Sequence, residues 1–379
     1  MKLIYFFRKT ALENLRDWKM LCIVIALGPF FIFLMHGYFD AADPAYHMVV
    51  VNEDHGSPIA NGLVDAWRVA VRADGGPVFN IETADDVSSV VDKLSAAEVS
   101  LIVKIPKEFG SRLTQPQNSA SDTVPTLLYT VDPANTQGAM AASFSDYIAY
   151  KYAFEQTGRN PPLDVSYASV KESSPLSDFD IYVPALLVLA IIMVLFTSAA
   201  TIIKEREMGT MMRLNLSDLT FPQMMTAISL NQVIIAIVAL AVSLGATYLI
   251  GYRPAGNVLS LLPVGALGAL GVIAIGFITA AFLNTLFELL TVGVFPFFVL
   301  MFFSDCMFPL PKIHLFDVLS HPLYANDILP TALTVRAFNQ LLNHNASYSQ
   351  IGFELIALTL LSGVYFVVGV RLLRRKMTR

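Results

Sequence analysis

Six stretches of this 379-residue chain, near 20–38, 181–203, 224–251, 259–282, 285–304 and 352–370, carry no more than one Asp, Glu, Lys or Arg apiece. An uninterrupted helix of about 20 apolar residues matches the ~30 Å hydrocarbon layer of a bilayer and satisfies every backbone polar group internally. Six such runs restrict the chain to one expected fold class, an α-helical polytopic membrane protein with six transmembrane helices. Composition agrees: 15% of residues are charged, where a soluble domain carries about 25%, and mean hydropathy is +0.58.

Charge is unevenly spread. Lys2, Arg8, Lys9, Arg16 and Lys19 precede the first run, Lys204, Arg206 and Arg213 follow the second, and Arg371, Arg374, Arg375, Lys376 and Arg379 follow the last. The intervening short loops, 252–258 and 305–351, hold only Arg253, Lys312 and Arg336. Basic loops stay on the cytoplasmic side, so both termini are expected there and the polar block between the first two runs is expected to face outward. The organisation expected is a cytoplasmic amphipathic interfacial helix over 1–19, transmembrane helix 1 over 20–38, an inserted extracytoplasmic α/β domain with its linker over 39–178, and transmembrane helices 2–6 over 179–379. A basic start before an apolar run is also what a signal peptide looks like. Here the basic region is long, and Leu3, Phe6, Phe7, Thr10 and Leu15 among its charges suit a helix lying on a membrane surface, with Trp18 and Lys19 at the interface.

Within the outward block, HMVVVN (47–52), PVFNI (77–81), SLIVKI (100–105) and TLLYTV (126–131) read as strands and alternate with helical patterns near 57–72, 84–97 and 133–157. That order favours parallel pairing. Residues 160–178, rich in Pro and Ser, read as the linker back to the membrane.

Most catalytic classes find no residues here. No phosphate-binding GxxxxGK[ST] loop, HExxH or GxSxG sequence occurs, so the chain is expected not to be an enzyme. Two cysteines, Cys22 and Cys306, are too few for a disulfide framework. His36, His47 and His55 are irregularly spaced without an acidic partner at a ligand offset, and read as solvated residues. Runs 181–203, 219–252 and 254–287 contain no Asp, Glu, Lys, Arg or His, which weakens an ion-coupled transport reading. Asn231, Gln232 and Asn284 read as interhelical hydrogen-bonding groups.

The segment KEREMGTMMRLNLSDLTFPQ (204–223) stands apart. At 100° per residue, Lys204, Glu205, Arg206 and Glu207 point to all sides of a helix, so the second span is expected to leave the membrane there, with Lys204 and Glu207 pairing at i,i+3. Gly209 permits a break, and Thr210 would cap a short helix ending near Ser217 whose Met208, Met211, Met212 and Leu216 form one apolar stripe. From the pattern alone, that stripe serves equally as a partner-binding face or as a face lying on the bilayer or its own bundle. Thr220 and Pro222 suit the restart of the next span.

KEREMGT followed by Met-Met-Arg-Leu resembles the signature of membrane subunits of ABC-2 type ATP-binding-cassette exporters. The amphipathic start resembles that family's interfacial helix. FSDCMFPLPKI (303–313) resembles its outer loop, with Asp305 where the family usually has Gly, and HPLY (321–324) followed by Arg336 resembles its Pro-x-x-Tyr…Arg stretch. VVVNEDHG (49–56) looks like the start of the outer domain in the subgroup with a large extracytoplasmic insertion after the first helix.

The resemblance implies the permease subunit of an ATP-driven exporter in a bacterial inner membrane, with a coupling helix at 204–217 docked on a separate ATPase subunit that holds ATP and Mg. Glu205, Arg206, Glu207, Met208, Gly209, Thr210, Met211, Arg213 and Leu214 would form the ATPase-coupling site. Ser304, Asp305, Phe308, Pro309 and Pro311 would form the extracellular gate loop. Expected partners are two ATPase subunits, a second permease subunit, the lipid bilayer and a periplasmic adaptor protein; no nucleic acid, metal or cofactor is expected on this chain. Two other classes remain open at this point: a membrane-anchored receptor or scaffold acting through its outer domain, and an ion-coupled secondary transporter.

Overall fold

A computed structural model of the chain describes residues 2–41, 45–72, 75–96, 98–114, 126–132, 135–158, 178–209, 220–307, 310–318 and 321–377. It divides into a helical unit, Met1–Asp40 with Leu176–Arg379, and an α/β unit, Ala41–Pro175.

Helix α1 (Lys2–Arg16) is amphipathic because Leu3, Phe6, Phe7 and Thr10 recur at helical spacing. Phe6 and Thr10 are buried against the helical core, whereas Arg8 and Arg16 are exposed. Helix α2 (Trp18–Ala41) follows with the backbone ladder carried across Asp17. It is apolar all round and leaves Ile23, Phe30, Phe33, Leu34 and Tyr38 exposed, a surface that suits lipid or another subunit.

The α/β unit contains β1 (Tyr46–Asn52), α3 (Pro58–Val69), β2 (Phe79–Thr83), α4 (Val91–Ser95), β3 (Leu101–Ile105), α5 (Phe109–Thr114), β4 (Leu128–Thr130) and α6 (Thr136–Thr157). The sheet order is β2-β1-β3-β4; β1 pairs in parallel with both neighbours and β4 is antiparallel to β3. The parallel pairs follow from the helical crossovers between strands. Because β1 is central and covered on both faces, its four consecutive residues Met48–Val51 are all buried. Met48, Val50, Leu101 and Val103 pack with Leu63, Trp67 and Ala141 of α3 and α6, and Val49, Val51 and Ile102 pack with Val90 and Leu94 on the other face. Ser57 caps α3, with Pro58 at its first position, and Trp67 Nε1 donates to Ser145 O at 3.1 Å. The helical pattern near 84–97 forms only a short 3-10 turn, Val87–Ser89, and the five-residue α4.

The helical unit resumes with α7 (Asp178–Ile192) and α8 (Val194–Glu207), which run together as one 29-residue apolar segment from Phe179, then α9 (Phe221–Leu249), α10 (Leu261–Phe282), α11 (Leu286–Thr291) and α12 (Val294–Phe302). A hairpin of β5 (His314–Val318) and β6 (His321–Tyr324), α13 (Pro330–Leu342) and α14 (Gly352–Met377) complete it. The α7–α8 segment is the most enclosed of the long helices. Gly276 of α10 lets it approach α8 so closely that an added Cβ would land on Ser198 Oγ, the use small residues have between membrane helices. Three polar bonds cross between helices of the bundle: Thr197 Oγ1 donates to Gln232 Oε1 at 2.7 Å, Gln232 Nε2 to Thr201 Oγ1 at 3.2 Å, and Asn14 Nδ2 to Asn231 Oδ1 at 2.9 Å.

Among the described residues, five helices are long and apolar enough to cross a membrane: Trp18–Phe39, Phe179–Glu207, Phe221–Leu249, Val258–Phe282 and Gly352–Lys376. The expected sixth span at 285–304 is instead a shorter apolar segment, Leu286–Phe302, broken between α11 and α12. At 1.5 Å per residue its 17 residues reach about 25 Å, less than the hydrocarbon layer. The break falls at Val292–Gly293, and Thr285 sets the start of α11 by accepting from Glu288 N at 3.1 Å.

Candidate functional site

Helix α8 ends in four consecutive charged residues, and each is bonded to a different neighbour. The Lys204 ammonium donates to Asp17 at the α1–α2 junction. Glu205, only 2% exposed, accepts from Lys9 on α1. Arg206 donates to the carbonyls of Leu283 and, at 3.5 Å, Ala280 at the C-terminus of α10. Glu207 Oε1 accepts from Leu286 N, at 3.1 Å, in the first turn of α11. Successive residues 100° apart can reach four directions only at a helix end enclosed by several elements.

The signs of the last two bonds follow from helix electrostatics. Unpaired carbonyls at a helix C-terminus favour a cation, and unpaired amides at an N-terminus favour an anion. Lys376 of α14 also donates to Leu283 O at 3.2 Å, so two cations share that terminus. The expected Lys204–Glu207 pair is therefore replaced by bonds to other elements. The end of α8 is covered on one side only: α1 covers Glu205 and Arg206 is half-buried against α10, whereas Glu207 and Met208 are exposed.

Gly209 takes φ 65 and closes the helix with its N–H on Arg206 O at 3.0 Å, a left-handed stop that costs glycine little. Met208 beside it is exposed. Thr210, Met211, Arg213 and Leu214 lie outside the described residues, as does the rest of 210–219. The chain resumes at Thr220, whose N–H donates to Gln223 Oε1 at 3.1 Å as α9 begins.

The second candidate cluster surrounds the loop after α12. Ser304 is buried and shares a hydrogen bond with Thr331. Asp305 has φ 59, which explains why a glycine suits this position. Its own side chain holds the turn, accepting from Leu310 N at 3.0 Å and Asn326 Nδ2 at 3.4 Å. Pro311 is exposed ahead of β5, and Phe308 and Pro309 lie outside the described residues. The Cys306 thiol is fully buried beside Asp305, and burial pushes its pKa up, so it stays a neutral packing group.

Asp327 completes this cluster and was not singled out from sequence. It is buried, accepts from Arg336 and from Tyr324 N at 2.9 Å, and the Arg336 guanidinium lies 5.3 Å from the Tyr324 ring centroid. The available signal was that Asp327 and Arg336 are the only charged residues in 318–353. Lys9 and Asp17 were likewise missed as partners, because 196 and 187 positions separate them from Glu205 and Lys204. Among the described residues no group of His, Cys, Asp or Glu could hold a metal ion.

A mostly helical chain with five membrane-length apolar helices among the described residues is a polytopic membrane protein. Residues 18–371 match the family model described as ABC-2 family transporter protein, and the chain belongs to that family. It is thus an ABC-2 type permease, a class that associates with ATP-binding-cassette ATPase subunits. A search of curated proteins returned no match.

Proposed function

We propose that this chain is the permease subunit of an ATP-driven exporter, with the charged end of α8 as the joint that receives work from a separate ATPase. The observation that carries the reading is the four-way bonding of Lys204, Glu205, Arg206 and Glu207. A push delivered at Gly209–Leu214 passes into α1, α2, α10 and α11 together rather than bending one helix. Glu205, Arg206 and Glu207 root the joint, Gly209 and Thr210 set its angle, and Met208, Met211 and Leu214 supply an adaptable apolar contact with Arg213 beside them.

In this reading ATP and Mg stay on the ATPase, and the chain itself catalyses nothing. Two permease subunits enclose the path in a bacterial inner membrane, with both termini in the cytoplasm, an orientation the basic segments support. The α/β unit then faces outward, where it receives cargo, dimerises or seats a periplasmic adaptor. Ser304, Asp305, Phe308, Pro309 and Pro311 form the outer gate loop, and the Asp327–Arg336 pair holds its base.

Native mass spectrometry of the gently solubilised, tagged protein tests this. Wild type is expected to carry two ATPase subunits per permease pair, and Met211→Asp to lose them while keeping the permease pair. A wild-type protein with no nucleotide-binding partner, under conditions that preserve related complexes, would remove the motor and leave a receptor or scaffold as the better account.

A further inference from the structure

Helix α6 of the α/β unit turns its small residues inward and large apolar ones outward. Ala141, Ser145 and Ala149 are buried against the sheet and α3, and a Cβ on Gly138 would stand 2.7 Å from Ser100 O. Met140, Tyr147 and Tyr150 are 57, 49 and 44% exposed, and Phe154 is half-buried with its ring centroid 4.6 Å from that of Tyr150. An ordinary surface helix has the reverse arrangement. Nor is α6 among the membrane-length apolar helices, so a lipid cover does not account for the outward residues.

Those residues recur as a heptad. Met140, Tyr147 and Phe154 fall at seven-residue intervals, with Ser143, Tyr150 and Thr157 three positions after each, the spacing of a seam between two paired helices. The seam is about 25 Å long. Asp146, just before Tyr147, borders it on one side, and Lys151, just after Tyr150, borders it on the other. Both are exposed, and neither enters an ion pair among the described residues.

We propose that α6 is a dimerisation helix that pairs in parallel with α6 of a second copy of this chain. In a parallel two-fold pair, a residue on one border of the seam meets the residue five positions further on across the seam. Asp146 then meets Lys151 of the second copy, and symmetry supplies the reciprocal pair. An antiparallel pair would set like borders together, Asp146 beside Asp146 and Lys151 beside Lys151. The two charges therefore select both the partner and its direction: one acid and one base on opposite borders are self-complementary. Methionine and aromatic side chains supply the buried centre of such a contact, and exposed ion pairs fix its register more than its strength. The inference deepens the reading of two permease subunits per complex and takes from it only the presence of a second copy; the ATPase and the direction of transport do not enter.

The test uses the full chain in native membranes, carrying Cys22→Ser so that the one remaining native thiol, Cys306, is buried. Tyr147→Cys is oxidised with copper phenanthroline, and covalent dimer is read on a non-reducing gel. It is expected to form at least tenfold more than for Arg68→Cys, an exposed position on α3. Tyr150→Cys serves if the first variant fails to elute as wild type does. Adding Asp146→Lys should cut the yield about threefold, the effect of making two exposed charge pairs repulsive, and adding Lys151→Asp to that variant should restore it. Yields equal to Arg68→Cys, a charge swap that restores nothing, or crosslinking to a different polypeptide would each overturn the α6 pair. Native mass spectrometry of the same preparations separates the two levels: a permease pair without the crosslink overturns the α6 contact and leaves the two-subunit reading standing, whereas a lone permease overturns both.

Discussion

Lys9 on the amphipathic first helix donates to Glu205 near the end of α8, across 196 residues of sequence, and Glu205 is 2% exposed while Lys9 is 37% exposed. The pair couples a surface helix to the most enclosed segment of the bundle. Removing Lys9 takes a partner from a carboxylate that water scarcely reaches. Removing Glu205 takes one from an ammonium that water can solvate. Lys9→Ala is therefore expected to destabilise more than Glu205→Ala, with a coupling of about 1–3 kcal/mol in the double-mutant cycle. Denaturation midpoints of the four proteins in one detergent measure it, and additive effects would show that the pair is not an energetic link.

At Asp305 two effects oppose each other. A left-handed backbone costs a non-glycine residue about 1–2 kcal/mol, and the side chain recovers part of that by accepting from Leu310 N and Asn326 Nδ2. Asp305→Ala keeps the strain and loses both bonds, so a loss of about 1–2 kcal/mol is expected. Asp305→Gly removes the strain with the bonds and should lie within about 1 kcal/mol of wild type. Thermal unfolding of the two variants side by side checks the order, and Gly below Ala would refute the account.

Gly276 sits where α10 meets Ser198 of α8. A Cβ there must displace Ser198 Oγ and crowds Leu195 O at 3.0 Å, so Gly276→Ala is expected to cost about 1–3 kcal/mol. Ser198→Ala in the same chain removes the first obstacle only, which predicts partial rescue. Full additivity of the two changes, read from melting midpoints, would argue against the close approach.

The α/β unit should weaken in alkali. Burial raises the pKa of Tyr129 and Tyr152 above the ordinary tyrosine value, and Tyr152 Oη donates to Ile59 O at 3.0 Å, a bond its phenolate cannot make. A group whose pKa is raised by folding contributes stability that is complete below its unfolded pKa, near 10, and is lost as pH climbs through the folded value. Stability is thus expected to fall above pH 10. Absorbance at 295 nm should show Tyr129 and Tyr152 ionising later than exposed tyrosines, and Tyr129→Phe with Tyr152→Phe should flatten the pH dependence.

Membrane character, the apolar α-helices and the kinship with ABC-2 transporters were legible in the sequence, because each rests on local composition or a short ordered motif. Strand positions in the α/β unit were nearly as plain: Val49–Val51 and Ile102–Val103 are apolar runs bounded by turn residues. The antiparallel β4 was not predicted, since pairing direction at a sheet edge depends on how the chain returns rather than on the strand's own residues.

The sequence by itself determined where apolar helices form and where their charges must cluster, because hydropathy and helical period act within a few residues. Only the tertiary structure decided what those charges meet. Glu205 finds Lys9, Arg206 finds the carbonyls that end α10, Glu207 finds the Leu286 amide that begins α11, and Asp327 finds Arg336. The break at Val292–Gly293 belongs to the same class, for uninterrupted hydropathy does not reveal where one helix stops and another begins. A charge near a low-dielectric bundle is costly unless a partner reaches it, and which element supplies that partner depends on packing between residues far apart in the chain.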